Sequence, residues 1–246
     1  MSAGEYMKVR AAVLGTGAFL IGGVVTPSVD GITPGRNWLA FDALFAGLHV
    51  NVLEQEKHHR WRIDRPQIEQ YGLGGHLDPN KCWWEHISLN QRQVHFVPLN
   101  SETTLCCLIC EDLARQDPVA DVVRAVGPNL VIALLMDAPQ VNARWPARYA
   151  TVLADDPGCS VLTLTSAGMV DLARPPPGVK ASRSVALWKD ARSASAVEIE
   201  LPEKADGILL NLATQGRTEW TADGRDDGKH GEYPRLVGIH AITAGA

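Results

Sequence analysis

An apolar run that ends in a thiol is the feature that most constrains the fold of this chain. The run from Thr104 to Cys110 has the sequence TLCCLIC, and two acidic residues, Glu111 and Asp112, follow it directly. A continuous apolar run of this length is typical of a strand that is buried on both faces. In α/β folds, functional side chains lie at the carboxyl ends of such strands. We therefore predict a buried strand that ends at Cys110 and presents this thiol at a turn.

The segments after Cys110 alternate between predicted helices and strands. A continuous apolar run, as at Leu130, or apolar residues that alternate with hydroxyl residues, as after Ser160, predict strands, and apolar residues at helical spacing before a glycine predict helices. The predicted order is a helix from Asp117 to Val126, a strand from Leu130 to Met136, a helix from Arg144 to Ala154 and a strand from Ser160 to Ser166. Shorter alternating segments at 184–188, 196–201 and 208–212 predict antiparallel hairpins. Together these segments predict a mixed sheet.

Composition favours one soluble domain. The chain has 246 residues, of which 46% are hydrophobic, so we expect a single domain over residues 1–246. A net charge of −5 with scattered Lys and Arg gives no electrostatic footprint for nucleic acid. No apolar run is long enough to span a membrane. Lys8 and Arg10 precede an apolar stretch as in a weak signal peptide, but no clean cleavage site follows. Five cysteines do not suggest a disulfide framework, and we expect a cytoplasmic location.

Several strings together resemble the nitrilase, or carbon–nitrogen hydrolase, superfamily. The string from Leu108 to Leu113 (LICEDL) and the strand end from Thr165 to Met169 (TSAGM) resemble the nucleophile region of the family. The ICED form is also seen in the glutaminase domains of glutamine-dependent NAD synthetases. Upstream, Gly22 to Val25 and Val52 to His58 resemble a glycine-ended strand and the hairpin that delivers the family's lysine. The resemblance implies an α/β fold, namely a nitrilase-like α-β-β-α sandwich in which two mixed sheets pack face to face with helices outside.

The resemblance also implies roles for particular residues. Hydrolysis of an amide or nitrile needs a nucleophile, a base and a donor that stabilises negative charge on the tetrahedral intermediate. Cys110 matches the nucleophile, Lys57 the oxyanion stabiliser, assisted by the backbone N–H of Glu111, and Glu85 the second glutamate that positions substrate. The implied function is hydrolysis of a non-peptide C–N bond through a cysteine thioester, without metal or cofactor. The interval between Lys57 and Cys110 is longer than in most members, which leaves Lys81 as an alternative lysine.

The general base of the family is the part of the pattern that this sequence lacks. Members carry this glutamate on a strand well before the lysine, and no carboxylate before Lys57 follows an apolar strand in that way. The carboxylates available there are Glu5, Asp30, Asp42, Glu54 and Glu56. We therefore expect a fold that is truncated at its N-terminus and lacks the catalytic glutamate.

Two functions from different classes remain open at this stage. The first is the small-molecule amidase or nitrilase, which by family resemblance forms a homo-oligomer through the helices near the cysteine. The alternative is a catalytically incomplete binding or scaffold module, because the general base is missing. The tract from Arg148 to Met169 resembles nitrilase-like domains associated with bacterial reverse transcriptases, so such a module would belong to a larger bacterial assembly. A redox dithiol is disfavoured, since Cys107 and Cys110 point to opposite faces of a strand. The histidines lack zinc-ligand spacing with Cys82, so we expect no metal site.

Overall fold

The computed structural model describes residues 1–13, 18–45, 48–49, 53–173, 175, 181–220, 222–224 and 226–243. The strands are β1 (Phe19–Thr26), β2 (Arg36–Phe45), β3 (Leu48–His49), β4 (Leu53–Glu56), β5 (Arg62–Ile63), β6 (Trp83–Trp84), β7 (Phe96–Pro98), β8 (Thr104–Ile109), β9 (Leu130–Leu134), β10 (Ser160–Leu164), β11 (Ser184–Lys189), β12 (Val197–Glu200), β13 (Gly207–Trp220) and β14 (Asp226–Ile242). The helices are α1 (Ala3–Val13), α2 (Arg65–Gln70), α3 (Asp121–Val126), α4 (Trp145–Asp155) and α5 (Ala167–Leu172).

The larger sheet has six strands in the order β12-β11-β10-β9-β8-β7. Its three central strands, β8, β9 and β10, run parallel, with Ile109 opposite Leu134 and Leu134 opposite Leu164. The outer strands pair antiparallel with their neighbours. The predicted mixed sheet is therefore confirmed. Strands β8 and β9 have nearly continuous apolar sequences because both of their faces are covered.

Helical crossovers connect the parallel strands, as such pairing requires. The helix predicted after Asp117 is confirmed: Asp117 is extended, helical residues continue through α3, and Gly127 ends it in the left-handed region with φ 67°. Only glycine adopts that conformation without a steric cost. The second predicted helix is α4, which buries Ala147, Ala150 and Leu153. Both helices thus bring the chain back to the start of the next strand.

The smaller sheet consists of β1, β2, β3 and β4, with β2 at its centre. The prediction of two mixed sheets is wrong for this one, since its four strands pair with one another only antiparallel in the part of the chain that the structure describes. An isolated parallel bridge joins β1 to the residue before α1, which lies outside these strands. Hairpin connections are too short for the crossover that parallel strands need. On one face of β2, Trp38 and Ala40 pack with Tyr6 of α1. On the other face, Leu39 and Phe41 belong to the same buried cluster as the strands of the larger sheet.

A long two-stranded hairpin, β13 with β14, follows the larger sheet. The predicted strand at 208–212 is confirmed, and it extends to Trp220. The Oγ of Ser160 donates to the carbonyl of Pro234 at 2.5 Å, and Nδ2 of Asn129 donates to the carbonyl of Glu232 at 2.7 Å. These bonds attach β14 to the starts of β10 and β9, at the end of the sheet opposite Cys110.

Candidate active site

Cys110 lies where β8 ends and a 3-10 turn, Cys110–Ala114, begins. Its φ of 48° places it in the left-handed region, which costs a residue with a Cβ about 1–2 kcal/mol. Strain of this kind is concentrated at functional sites. The predicted strand end is confirmed, and the turn directs a buried thiol out of the regular sheet.

The environment of the Cys110 thiol favours its protonated form. Burial raises the pKa of this thiol to about 11, against the opposing effects of the Lys57 ammonium and a backbone hydrogen bond from Met136. The carboxylates of Asp137 and Glu85 raise the pKa further. Near neutral pH the group is therefore a thiol rather than a thiolate, and a nucleophilic role needs a proton acceptor.

Lys57, which is buried, and Glu85, which is partly exposed, form an ion pair whose charges both act on this thiol. The Nζ of Lys57 donates to Oε2 of Glu85 at 2.5 Å, and Lys57 is only 2% exposed. Glu85 also accepts from Nδ2 of Asn37 and from the backbone N–H of Trp61, each at 2.9 Å. The structure thus brings together the two residues that the sequence named. The alternative, Lys81, has a 66% exposed side chain that faces Asp78 at 3.7 Å.

Alternation along β4 accounts for the direction of Lys57. The Nε2 of Gln55 donates to the carbonyl of Cys107 at 2.8 Å, so Gln55 faces the larger sheet. Glu54 and Glu56 point to the other side, where both pair with Arg36. Lys57 is two residues after Gln55 and continues on its side, because successive side chains in a strand alternate between faces.

Asp112 connects the residues directly after Lys57 to the turn that begins at Cys110, a role that the sequence did not suggest. Its fully buried carboxylate accepts from the backbone N–H groups of His58, at 3.1 Å, and His59, at 2.9 Å, and faces Nδ1 of His59 at 2.9 Å. Burial acts to raise the pKa of Asp112, but hydrogen bonds from the two histidines outweigh it and lower the pKa. Asp112 therefore fixes the residues after Lys57 against the turn that carries Cys110.

Asp137 is a second buried carboxylate that the sequence analysis missed. It follows β9, and its Oδ1 accepts from the hydroxyl of Tyr71 at 2.6 Å and from Nη2 of Arg144 at 2.7 Å. Burial raises the pKa of Tyr71 well above its usual value, and the charge of Asp137 raises it further. The sequence contained one signal for Asp137: it is the first acidic residue after the apolar run adjacent to the Cys110 strand.

The backbone and side chain of Glu111 have different surroundings. The Glu111 side chain accepts from Nη2 of Arg115 at 2.7 Å, on the outside of the turn. Its backbone N–H is in the 3-10 turn directly after Cys110. This amide is the one to which the sequence analysis gave a role.

The upstream carboxylates that the sequence considered as a base have partners elsewhere. Glu5 is exposed and accepts from Ser2, and Asp30 is held by Thr33. Asp42 is buried on the α1 side of the smaller sheet, where it pairs with Arg10. Together with the direction of Glu54 and Glu56, this places all five away from the side of β4 that carries Lys57.

Neither a metal centre nor a membrane-spanning helix occurs in the described part of the chain. Among the residues that the structure describes, no three His, Cys, Asp or Glu side chains are grouped as metal ligands. No helix within the same ranges is long and apolar enough to cross a membrane. All five cysteines are free thiols, of which only Cys82 is exposed.

The chain is similar to several solved structures, whereas no protein-family model and no curated protein matches it. One is a cysteine-to-alanine mutant of the Nesterenkonia AN1 amidase from the nitrilase superfamily (11% identity, 78% of this chain and 61% of that chain, TM-score 0.48). A glutamate-to-glutamine mutant of the Nesterenkonia sp. AN1 amidase, with acrylamide added at its active-site cysteine, gives 13% identity, 79% and 64% coverage, and a TM-score of 0.49. A third is a glutamine-dependent NAD+ synthetase from Acinetobacter baumannii in complex with ADP. Its sequence identity is 11%, the match covers 81% of this chain and 33% of that chain, and the TM-score is 0.46.

This likeness concerns the fold alone. The chain spans less than two thirds of the length of each of these proteins.

Proposed function

We propose that this chain is a nitrilase-superfamily hydrolase that cleaves a non-peptide C–N bond, in an amide or a nitrile, through a thioester or thioimidate on Cys110. The observation that carries the proposal is the arrangement at the end of β8. There, a buried thiol in a left-handed turn is subject to the charge of a buried ammonium, Lys57. Nucleophile and charge stabiliser are the two groups that acyl transfer needs first.

The proposed architecture is the α-β-β-α sandwich. Three contacts support it: Leu39 and Phe41 of the smaller sheet pack into the core of the larger one, and Gln55 donates to the carbonyl of Cys107. Helix α1 covers the other face of the smaller sheet through Tyr6, and α4 buries its apolar side against the larger sheet. In this arrangement Lys57 and Cys110 approach one another from different sheets.

In the proposed mechanism the sulfur of Cys110 attacks the carbonyl carbon of the amide. Negative charge develops on the carbonyl oxygen and is stabilised by Nζ of Lys57 and by the backbone N–H of Glu111. The C–N bond breaks, ammonia or an amine leaves, and water then hydrolyses the thioester. Glu85 keeps Lys57 in place, since its carboxylate binds Lys57, Asn37 and Trp61 at once.

Two observations favour the alternative, a binding module without catalysis. The thiol is protonated near neutral pH, because burial raises the pKa of Cys110 to about 11, and the five upstream carboxylates have partners elsewhere. A site with a thiol and a lysine but no available proton acceptor would bind an amide without cleaving it. The two functions therefore differ in whether ammonia is released.

Release of ammonia from a panel of small primary amides and nitriles tests the proposal. We expect release by the wild-type chain and its loss in Cys110→Ala and Lys57→Met. The matched control is Cys159→Ala, which removes another buried thiol, one whose Sγ donates to the carbonyl of Pro128 at 2.9 Å at the opposite end of the sheet. Saturable amide binding to the wild-type chain without ammonia release would instead support the binding module.

A further inference from the structure

The proposed hydrolase needs a proton acceptor for Cys110, and the turn after β9 contains one. Parallel pairing sets Ile109 opposite Leu134, so the residues that follow β8 and β9 leave the sheet side by side. Asp137 lies in the turn that follows β9 and is 5% exposed. Its charge raises the pKa of the Cys110 thiol. The register of the sheet and this electrostatic effect together place the turn that contains Asp137 next to the nucleophile.

Only one oxygen of the Asp137 carboxylate accepts hydrogen bonds from the residues that the structure describes. Its Oδ1 accepts from the hydroxyl of Tyr71 and from Arg144. Its Oδ2 is buried and has no hydrogen-bond partner among the residues that the structure describes. A buried acceptor without a partner is costly and calls for a functional explanation.

The position of Asp137 is also fixed from its backbone. The Oγ1 of Thr165, at the end of β10, donates to the carbonyl of Asp137 at 2.8 Å. The Tyr71 hydroxyl accepts from the backbone N–H of Ala138 at 3.1 Å while it donates to Oδ1. These contacts orient the carboxylate before any substrate arrives, as efficient proton transfer requires.

Two other carboxylates near Cys110, the partly exposed Glu85 and the buried Asp112, already accept hydrogen bonds. Glu85 accepts from Asn37 through Oε1, and from Lys57 and Trp61 through Oε2. Asp112 accepts from two backbone N–H groups, which use both of its oxygens. Each of these carboxylates thus holds a part of the site in place, whereas Oδ2 of Asp137 remains available.

We propose that Asp137 is the general base of this site, whose Oδ2 accepts the proton of the Cys110 thiol. This inference rests on the proposed hydrolase function and supplies the base that the sequence comparison did not find. Arg144 and Tyr71 act as positioning residues, because they hold Oδ1 and leave Oδ2 free for the transfer.

The proton is conserved through the cycle. As the sulfur bonds to the carbonyl carbon, its proton moves to Oδ2 and the C=O π pair moves to the oxygen. Collapse of the intermediate breaks the C–N bond, and the same proton moves from Oδ2 to the leaving nitrogen. In the second half, water gives a proton to Oδ2 and its oxygen bonds to the thioester carbon. The C–S bond then breaks and the sulfur recovers the proton, so that amide and water give acid and amine.

The rate at which iodoacetamide, itself a small amide, alkylates Cys110 tests this assignment as a function of pH. In Asp137→Asn the amide side chain still accepts from Tyr71 but no longer takes a proton. We expect alkylation near neutral pH to slow by about 10²- to 10⁴-fold, the usual contribution of a general base. The remaining rate should rise about tenfold per pH unit, since only the thiolate then reacts, whereas the wild-type rate is nearly constant across neutral pH.

A purely electrostatic role for Asp137 predicts the opposite sign. Its negative charge raises the pKa of Cys110, so its removal would increase the thiolate fraction and speed up alkylation. An unchanged or faster rate in Asp137→Asn therefore overturns the proposal. The matched control is Asp42→Asn, which neutralises a carboxylate of similar burial on the α1 side of the smaller sheet and should leave the pH profile unchanged.

Three further outcomes are decisive. If Asp137→Asn does not fold by circular dichroism, the solvent isotope effect on alkylation of the wild-type chain replaces it: slowing in D2O supports proton transfer to a base, and no slowing overturns it. If the base assignment alone is wrong, Lys57→Met still slows alkylation of Cys110 while Asp137→Asn does not. If Cys110 of the wild-type chain is inert to iodoacetamide at all pH values, the proposed hydrolase function fails, and the base assignment with it.

Discussion

Replacement of Asp112 by alanine should destabilise the whole fold, because this side chain connects two parts of the site that are far apart in the chain. The carboxylate accepts from the backbone N–H groups of His58 and His59, which are 54 and 53 residues away. Asp112 is 1% exposed, so water does not replace it easily. A buried N–H that loses its acceptor costs about 1–3 kcal/mol.

The magnitude follows from the two backbone N–H groups that the substitution leaves without an acceptor. At about 2 kcal/mol each, we expect Asp112→Ala to lower the free energy of unfolding by about 4 kcal/mol. Small domains are stable by only about 5–15 kcal/mol, so the change is a large part of the total. Urea denaturation at neutral pH, followed by tryptophan fluorescence, measures it.

The pH dependence of stability gives an independent check on Asp112. Its pKa is lowered in the folded chain, so its contribution is fully present above the unfolded pKa and is lost as pH falls through the folded value, which is below 3.8. The stability difference between wild type and Asp112→Ala should therefore shrink in acid below about pH 4.

Asp78→Ala is the control for Asp112→Ala. It also removes an aspartate that accepts from a backbone N–H group, that of Asn80, but the Asp78 side chain is 41% exposed. We expect that control to lose no more than about 0.5 kcal/mol. A loss below about 1 kcal/mol for Asp112→Ala, comparable with one ordinary hydrogen bond, would refute the role assigned to its carboxylate.

Further predictions concern the ion pair and the packing of α1. Glu85→Gln leaves the buried ammonium of Lys57 without its counter-charge. Since Glu85 is partly exposed, we expect the free energy of unfolding in urea to fall by about 2–3 kcal/mol. An unchanged free energy of unfolding would contradict the ion pair. A Cβ on Gly22 would lie 2.9 Å from a ring carbon of Tyr6, so Gly22→Ala should cost about 1–3 kcal/mol. Its control, Gly4→Ala, adds a Cβ in open space within α1 and should stabilise the chain by up to about 1 kcal/mol; equal melting temperatures for the two variants would rule out the steric argument.

The central strands and the position of Cys110 could be predicted from the sequence. A strand that is covered on both faces favours a continuous apolar run, and the runs in Thr104–Ile109 and Leu130–Leu134 show this directly. The third parallel strand, Ser160–Leu164, is predicted from alternating apolar and hydroxyl residues. Family resemblance alone named Lys57 and Glu85 as site residues, and it did not predict their ion pair. Nothing in their spacing in the sequence indicates contact.

The other buried carboxylates could not be identified in this way. Asp112 and Asp137 both come directly after apolar strands, where an acidic residue is also common as an ordinary turn residue. Their roles depend on partners far along the chain: Tyr71 is 66 residues from Asp137, and His58 is 54 residues from Asp112. The length of the β13 and β14 hairpin was also underestimated, because its outer half lacks the alternating apolar pattern of a half-buried strand.

The most direct test of the account is to trap the acyl group on Cys110 during turnover of a small amide. Rapid acid quenching, intact-mass analysis and peptide mapping would identify the bond. We predict that the peptide containing Cys110 gains the mass of the acyl group. This mass increase should be absent in Cys110→Ala and should persist in Cys159→Ala. Ammonia release from the amide with no acyl group on Cys110, or undiminished release by Cys110→Ala, would contradict it.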